Sequence, residues 1–86
     1  MLDQLKAYLT KLREATGADS KVNKDLNQEL AAITAKLLFR HHIVLSKFLC
    51  QELQKVAEKN KATKRLPVSV MVNIDFAISV LSVGFE

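Results

Sequence analysis

No proline or glycine occurs between Ala18 and Leu66, and that unbroken stretch constrains the fold more than any other feature of the chain. Those two residues are the usual local punctuation of helices. A helix begun at the start signals Asp19, Ser20 and Asn23 therefore meets no breaker before the loop that holds Pro67. Leu26, Leu30, Ile33, Leu37, Val44 and Phe48 fall within a narrow arc at about 3.6 residues per turn. The apolar set then drifts round to Leu45, Leu49, Leu53 and Val56. The pattern predicts one long helix over about residues 22–60.

Such a helix would exceed ~50 Å at about 1.5 Å per residue. A globule of 86 residues is only roughly 25–30 Å wide. The helix must either break near Arg40-His41-His42 or run through and pack against a second copy, and the absence of a breaker favours the second. Leu37 to Leu45 is apolar on almost every side, so it must also be covered on almost every side.

Before this stretch, Leu2, Leu5, Leu9 and Leu12 recur at helical spacing with Tyr8 beside them, which predicts a short helix over about residues 2–15. Gly17 is the expected stop. The stripe is one residue per turn, enough for packing against one neighbour. After the long helix, residues 61–67 form a basic loop, and Pro67 forbids helix continuation through it.

The period then changes. Val68, Val70, Val72, Ile74, Phe76, Ile78 and Val80 occupy every second position, the alternation of a half-buried β-strand. A helix is also compatible with residues 68–83, because Val70, Ile74, Ala77, Ile78, Leu81 and Phe85 share helical spacing. The strand reading has a consequence, since nothing else in the chain resembles a strand and an unpaired one leaves its backbone groups open. Its partner would have to come from another chain. The expected architecture is mainly α, a hairpin of a short and a long helix with a C-terminal extended segment, strand or third helix, completed by dimerisation.

Composition bears on function chiefly by exclusion. With 49% apolar and 26% charged residues, the chain is not wholesale disordered. No run nears the roughly 20 apolar residues of a membrane span, and the leucine-and-charge N-terminus is unlike a signal peptide. Cys50, the one cysteine, sits among apolar residues as a small hydrophobe would. A lone thiol suits a reducing interior. These features predict a cytoplasmic protein of one domain over 1–86, small enough to gain stability from a partner subunit.

No constellation suggests catalysis, a metal or a cofactor. His41 and His42 are adjacent, so on a helix they point about 100° apart and cannot share a metal as an i, i+4 pair can. They read as interface or core histidines satisfied by hydrogen bonds. Asp3, Glu14, Asp25, Glu29, Glu52 and Glu58 fall where a helix faces water, and Asp75 falls on the polar side of the last segment. Gly17 and Gly84 are the only glycines, too few for a phosphate-cradling loop.

The expected function is that of a non-enzymatic regulatory or adaptor protein. It would act by protein–protein interaction as a homo-oligomer, through Leu37, His41, Val44, Phe48, Leu49, Ile74, Phe76 and Ile78. Bulky apolar side chains of this kind dominate such contacts. One alternative is a nucleic-acid-binding accessory protein. Lys55, Lys59, Lys61, Lys64 and Arg65 would then meet phosphates or an acidic partner. No aromatic residue interleaves them to stack bases. The other alternative is a structural subunit of a larger assembly. No membrane contact or small-molecule substrate is expected.

Overall fold

The computed structural model, which describes residues 1–84, folds into four helices: α1 Leu2–Glu14, α2 Ser20–Phe39, α3 Ile43–Thr63 and α4 Val68–Val83. There is no strand among the described residues. The α4 helix lies along both α2 and α3, while α1 packs on the same two helices from the other side and does not reach α4. With an overall extent of 34 × 22 × 17 Å, the helices run along the long axis, because the 21 residues of α3 alone span about 32 Å.

The first helix forms as its stripe predicts. Leu5, Tyr8, Leu9 and Leu12 are buried in line, with Asp3 in the first turn and Lys11 and Arg13 in the last, each favourable to the helix dipole. Asp19 caps α2, its Oδ1 accepting from the backbone N–H of Lys21 at 2.9 Å and of Val22 at 3.4 Å.

The long helix predicted over 22–60 does not exist as one piece. It breaks at Arg40-His41-His42 without glycine or proline. His41 adopts φ +53°, in the left-handed region. The His42 N–H bonds the Leu37 carbonyl at 3.0 Å and the His41 N–H bonds that of Leu38 at 3.2 Å. This is the Schellman arrangement, with histidine where glycine is usual. The reason for the break is the phase drift. Leu37 and Leu49 are both fully buried, yet twelve residues apart on a straight helix they point about 120° away from each other. Folding back at His41 brings both stripes onto one core.

The second correction concerns residues 68–83, where the strand reading fails and the helical one holds. Val70, Ile74, Ala77 and Leu81 face the core, and Val68, Val72, Phe76 and Val83 face outward. Phe85 of the expected helical set lies outside the described residues. Two i, i+4 stripes offset by two residues, 68-72-76-80 and 70-74-78, add up to an apolar residue at every second position. The period of two is real, but it arises from a helix that is apolar on two sides. A helix also satisfies its own backbone groups, which a strand without a partner cannot.

At one end of the bundle the two loops lock together. Gly17 has φ +82°, and a Cβ there would stand 2.2 Å from the Arg65 carbonyl oxygen and 3.1 Å from Pro67 Cδ. The Arg65 guanidinium reaches back to the end of α1, donating to the carbonyls of Leu12 at 3.1 Å, Arg13 at 3.0 Å and Ala15. Asn60 brackets Leu66, accepting from its N–H at 2.8 Å and donating to its carbonyl. Asn23 donates to the Gly17 carbonyl at 3.1 Å.

Gly17→Ala is expected to destabilise the fold by about 2 kcal/mol or more, from left-handed strain and the overlap with Arg65. Arg65→Met is expected to cost about 1.5–3 kcal/mol, the range for hydrogen bonds to a charged group. Urea unfolding followed by circular dichroism measures both, with a lowered midpoint and an unchanged slope as the expected signature.

Candidate protein-docking surface

The outward stripe of α4 borders a groove of about 360 Å³ between α4 and α2. Its α2 wall is Leu30, Ala31, Thr34, Ala35 and Leu38, and its α4 wall is Asn73, Phe76, Ala77 and Val80. None of these residues is charged. Ala31, Ala35 and Ala77 make the groove hollow, while Phe76 stands up beside them, 67% exposed. Thr34 is only 8% exposed, and its hydroxyl has no hydrogen-bond partner among the described residues.

Leu38 also lines a smaller hollow at the α2–α3 turn, with His41, His42, Ile43 and Leu81. The apolar surface therefore continues to that end of the bundle, where Phe39 is 86% and Val44 77% exposed. Val83 and Ile43 are exposed as well. Contiguous exposed apolar surface of this kind marks interaction sites in soluble proteins.

The residues expected at an interface divide into three groups. His41, Val44 and Phe76 are exposed. Phe48 and Ile78 are partly buried against the core. Leu37, Leu49 and Ile74 are fully buried, so they hold helices to one another within the chain. Leu38 and Phe39 fall in the stretch 37–45 expected to need cover, while sequence reasoning missed Ala31, Ala35, Val72 and Val80. The stripe 68-72-76-80 was the available signal for the last two.

The five basic residues do not form one free patch. Lys55 pairs with Glu52 at 3.1 Å and Lys61 with Glu58 at 3.2 Å. Arg65 is spent on the α1 carbonyls. A groove of about 340 Å³ beside α3 gathers Lys55, Lys59 and Arg65 with Arg13, but Glu52 lies in it and pairs with Arg13 at 2.7 Å. The surface left to Lys59 and Lys64 is a weaker electrostatic feature than their sequence neighbourhood implies.

Glu29 pairs with Lys11 at 2.7 Å, and Lys36 donates to Gln4 at 3.1 Å. The bond to Glu29 holds the Lys11 ammonium above its usual range. Burial, with a smaller contribution from Glu29, pushes the Tyr8 phenol well up. Burial likewise raises the Cys50 thiol, which donates weakly to the Ile78 carbonyl at 3.7 Å. A raised thiol is a poor nucleophile. Among the described residues no three His, Cys, Asp or Glu side chains cluster as a metal ion requires. No described helix is long and apolar enough to cross a membrane.

No protein-family model, curated protein or solved structure matches the chain.

The two stripes of α4 should separate in a stability assay. Ile74→Ala, on the inner stripe, is expected to cost about 2–5 kcal/mol. Phe76→Ser, on the outer stripe, is expected to stay within about 0.5 kcal/mol of the parent. Chemical denaturation of both variants makes the comparison; a large loss at Phe76 would mean that this ring serves the fold.

Proposed function

We propose that the chain is a non-enzymatic regulatory or adaptor protein that works by protein–protein interaction as a homo-oligomer, and that its α2–α4 groove takes an amphipathic helix of a larger partner. The observation that carries this reading is the outer stripe of α4, which exposes apolar side chains beside a floor of alanines. Such surface contributes little to folding and is costly in water unless something covers it.

The kind of partner follows from the geometry. Residues at intervals of four along α4 form a ridge, and ridges of that spacing interdigitate with those of another helix. Small residues on the floor allow close approach. No strand edge exists among the described residues, so strand addition is not open to this fold and helix-in-groove docking is the mode that suits it. Because no lining residue is charged, the partner's contacting stripe is uncharged as well. A single polar group on it could meet the Thr34 hydroxyl.

The test places a benzophenone photocrosslinker at Asn73→Cys, in a Cys50→Ala background, in an extract of the cells that make the chain. The expected adduct maps by mass spectrometry to an amphipathic helical segment of another protein and disappears with Ala35→Asp or Phe76→Asp. Adducts of equal yield from a label at Lys6→Cys on α1, or adducts indifferent to Ala35→Asp, would sink the reading.

A further inference from the structure

We propose that this chain dimerises by exchanging its C-terminal half, α3 with α4, between two copies, the α2–α3 turn straightening into one continuous helix.

The bundle has two halves, α1–α2 and α3–α4, and three residues join them: Arg40, His41 and His42. The helices pack within each half and also across the two halves. The α4 helix packs on α2 as well as on α3, and α1 packs on α3. Arg65 of the second half caps α1 of the first, Gly17 of the first half sits against the Arg65 carbonyl, and Arg13 pairs with Glu52. None of these contacts depends on both halves belonging to one chain. Exchange keeps all of them and changes only the hinge.

The hinge is short and under strain. His41 holds φ +53° without being glycine, as Lys64 does at φ +51° at the other end of α3, and His42 precedes α3 without a side-chain cap. The opposite end of the bundle is clasped by Arg65, Asn60 and Asn23, whereas this turn is held by backbone bonds such as His42 N–H to Leu37. No glycine or proline opposes a straight helix here. Short, strained hinges of this kind favour exchange. Straightened, residues 20–63 would form a helix of roughly 66 Å, about twice the 34 Å length of the closed bundle.

Exchange also covers surface that the closed form leaves wet. Phe39, Ile43 and Val44 stand exposed around the turn. In the exchanged dimer the two hinges meet at the two-fold axis, so these side chains of one copy face those of the other. Each α2–α4 groove would then be composite, α2 from one copy and α4 from its partner. The dimer would be bivalent. The exchange does not rest on the docking of a partner helix, and Phe76→Asp leaves it unchanged.

Two measurements test the exchange together. The first compares the parent with His41→Gly and His41→Ala, refolded at high concentration and sized with light scattering. Glycine relieves the left-handed strain and weakens the straight helix, while alanine keeps the strain and favours the helix. The dimer fraction is expected to rank alanine above parent above glycine. The glycine variant's dimer dissociation constant should be weaker by about a hundredfold, roughly tenfold for each hinge. The second measurement joins Arg13→Cys to Glu52→Cys with a short bis-maleimide, in a Cys50→Ala background. In the dimer peak the link is expected to join two chains, and in the monomer peak to close within one. A dimer whose link stays within one chain, a dimer fraction equal in all three hinge forms, or monomer alone in all three would overturn the proposal.

Discussion

The Arg65 guanidinium on the carbonyls of α1 is the contact on which the arrangement of the four helices depends. The last carbonyls of a helix lack partners within it, and those of α1 are met by a cation that also complements the dipole at that end. The cation comes from the loop between α3 and α4, more than fifty positions along the chain. It can reach only because Gly17 lets the Arg65 backbone come within a distance that any Cβ would occupy. One glycine and one arginine thus set the height at which the first half of the bundle meets the second. Asn60 and Asn23 hold the backbone on either side of that junction. With the height set, Leu5, Tyr8, Leu9 and Leu12 come level with the buried stripes of α2 and α3.

The other organising constraint is the excess of apolar surface on α4. A helix at the edge of a bundle needs one apolar stripe, and α4 has two. The inner stripe is consumed by α2 and α3. The outer one is left over, and no other described helix has a row of that length facing water. Lysine and arginine are absent from α4, and Asp75 is its one charged residue. A surface helix ordinarily has a charged outer face. The departure from that pattern supports the proposed docking surface independently of the groove.

How far the sequence could be read follows from the same physics. The first helix was legible because a single stripe, bounded by Gly17, has one interpretation. The join at Arg40 to His42 was not, because a left-handed histidine carries no composition signal. The rotation of the stripe between Leu37 and Leu49 was the available trace, and it is compatible with a bend or with a second chain. The alternation over 68–80 misled in an instructive way, since two helical stripes offset by two residues imitate a strand. Within the expected interface, Phe76 and Val44 are exposed and Ile74 and Leu49 are buried. Periodicity shows which residues share a face. It cannot show which of two apolar faces turns inward, because that depends on how many neighbours the helix has. The basic cluster shows the converse limit. Adjacency in sequence suggested one patch, but Lys55 and Lys61 each pair with a glutamate one turn earlier on α3, and Arg65 turns back to carbonyls at the end of α1.

The two ends of the bundle differ in a way that links the docking surface to the turn. One end is tied across the halves by Arg65 and Gly17, and the other is a three-residue backbone turn with His41 at φ +53°. The α2–α4 groove has one wall in each half. A helix bound there touches both and strengthens their pairing by the free energy of its own binding, the ordinary consequence of a ligand that prefers the assembled form. That stabilisation is the same whether the two walls come from one chain or from two. A partner bound as proposed would therefore guard the groove against opening without choosing between the closed bundle and an exchanged one. The choice is left to the hinge itself, where the left-handed turn and the exposed Phe39 and Val44 weigh against the loss of freedom on bringing two chains together.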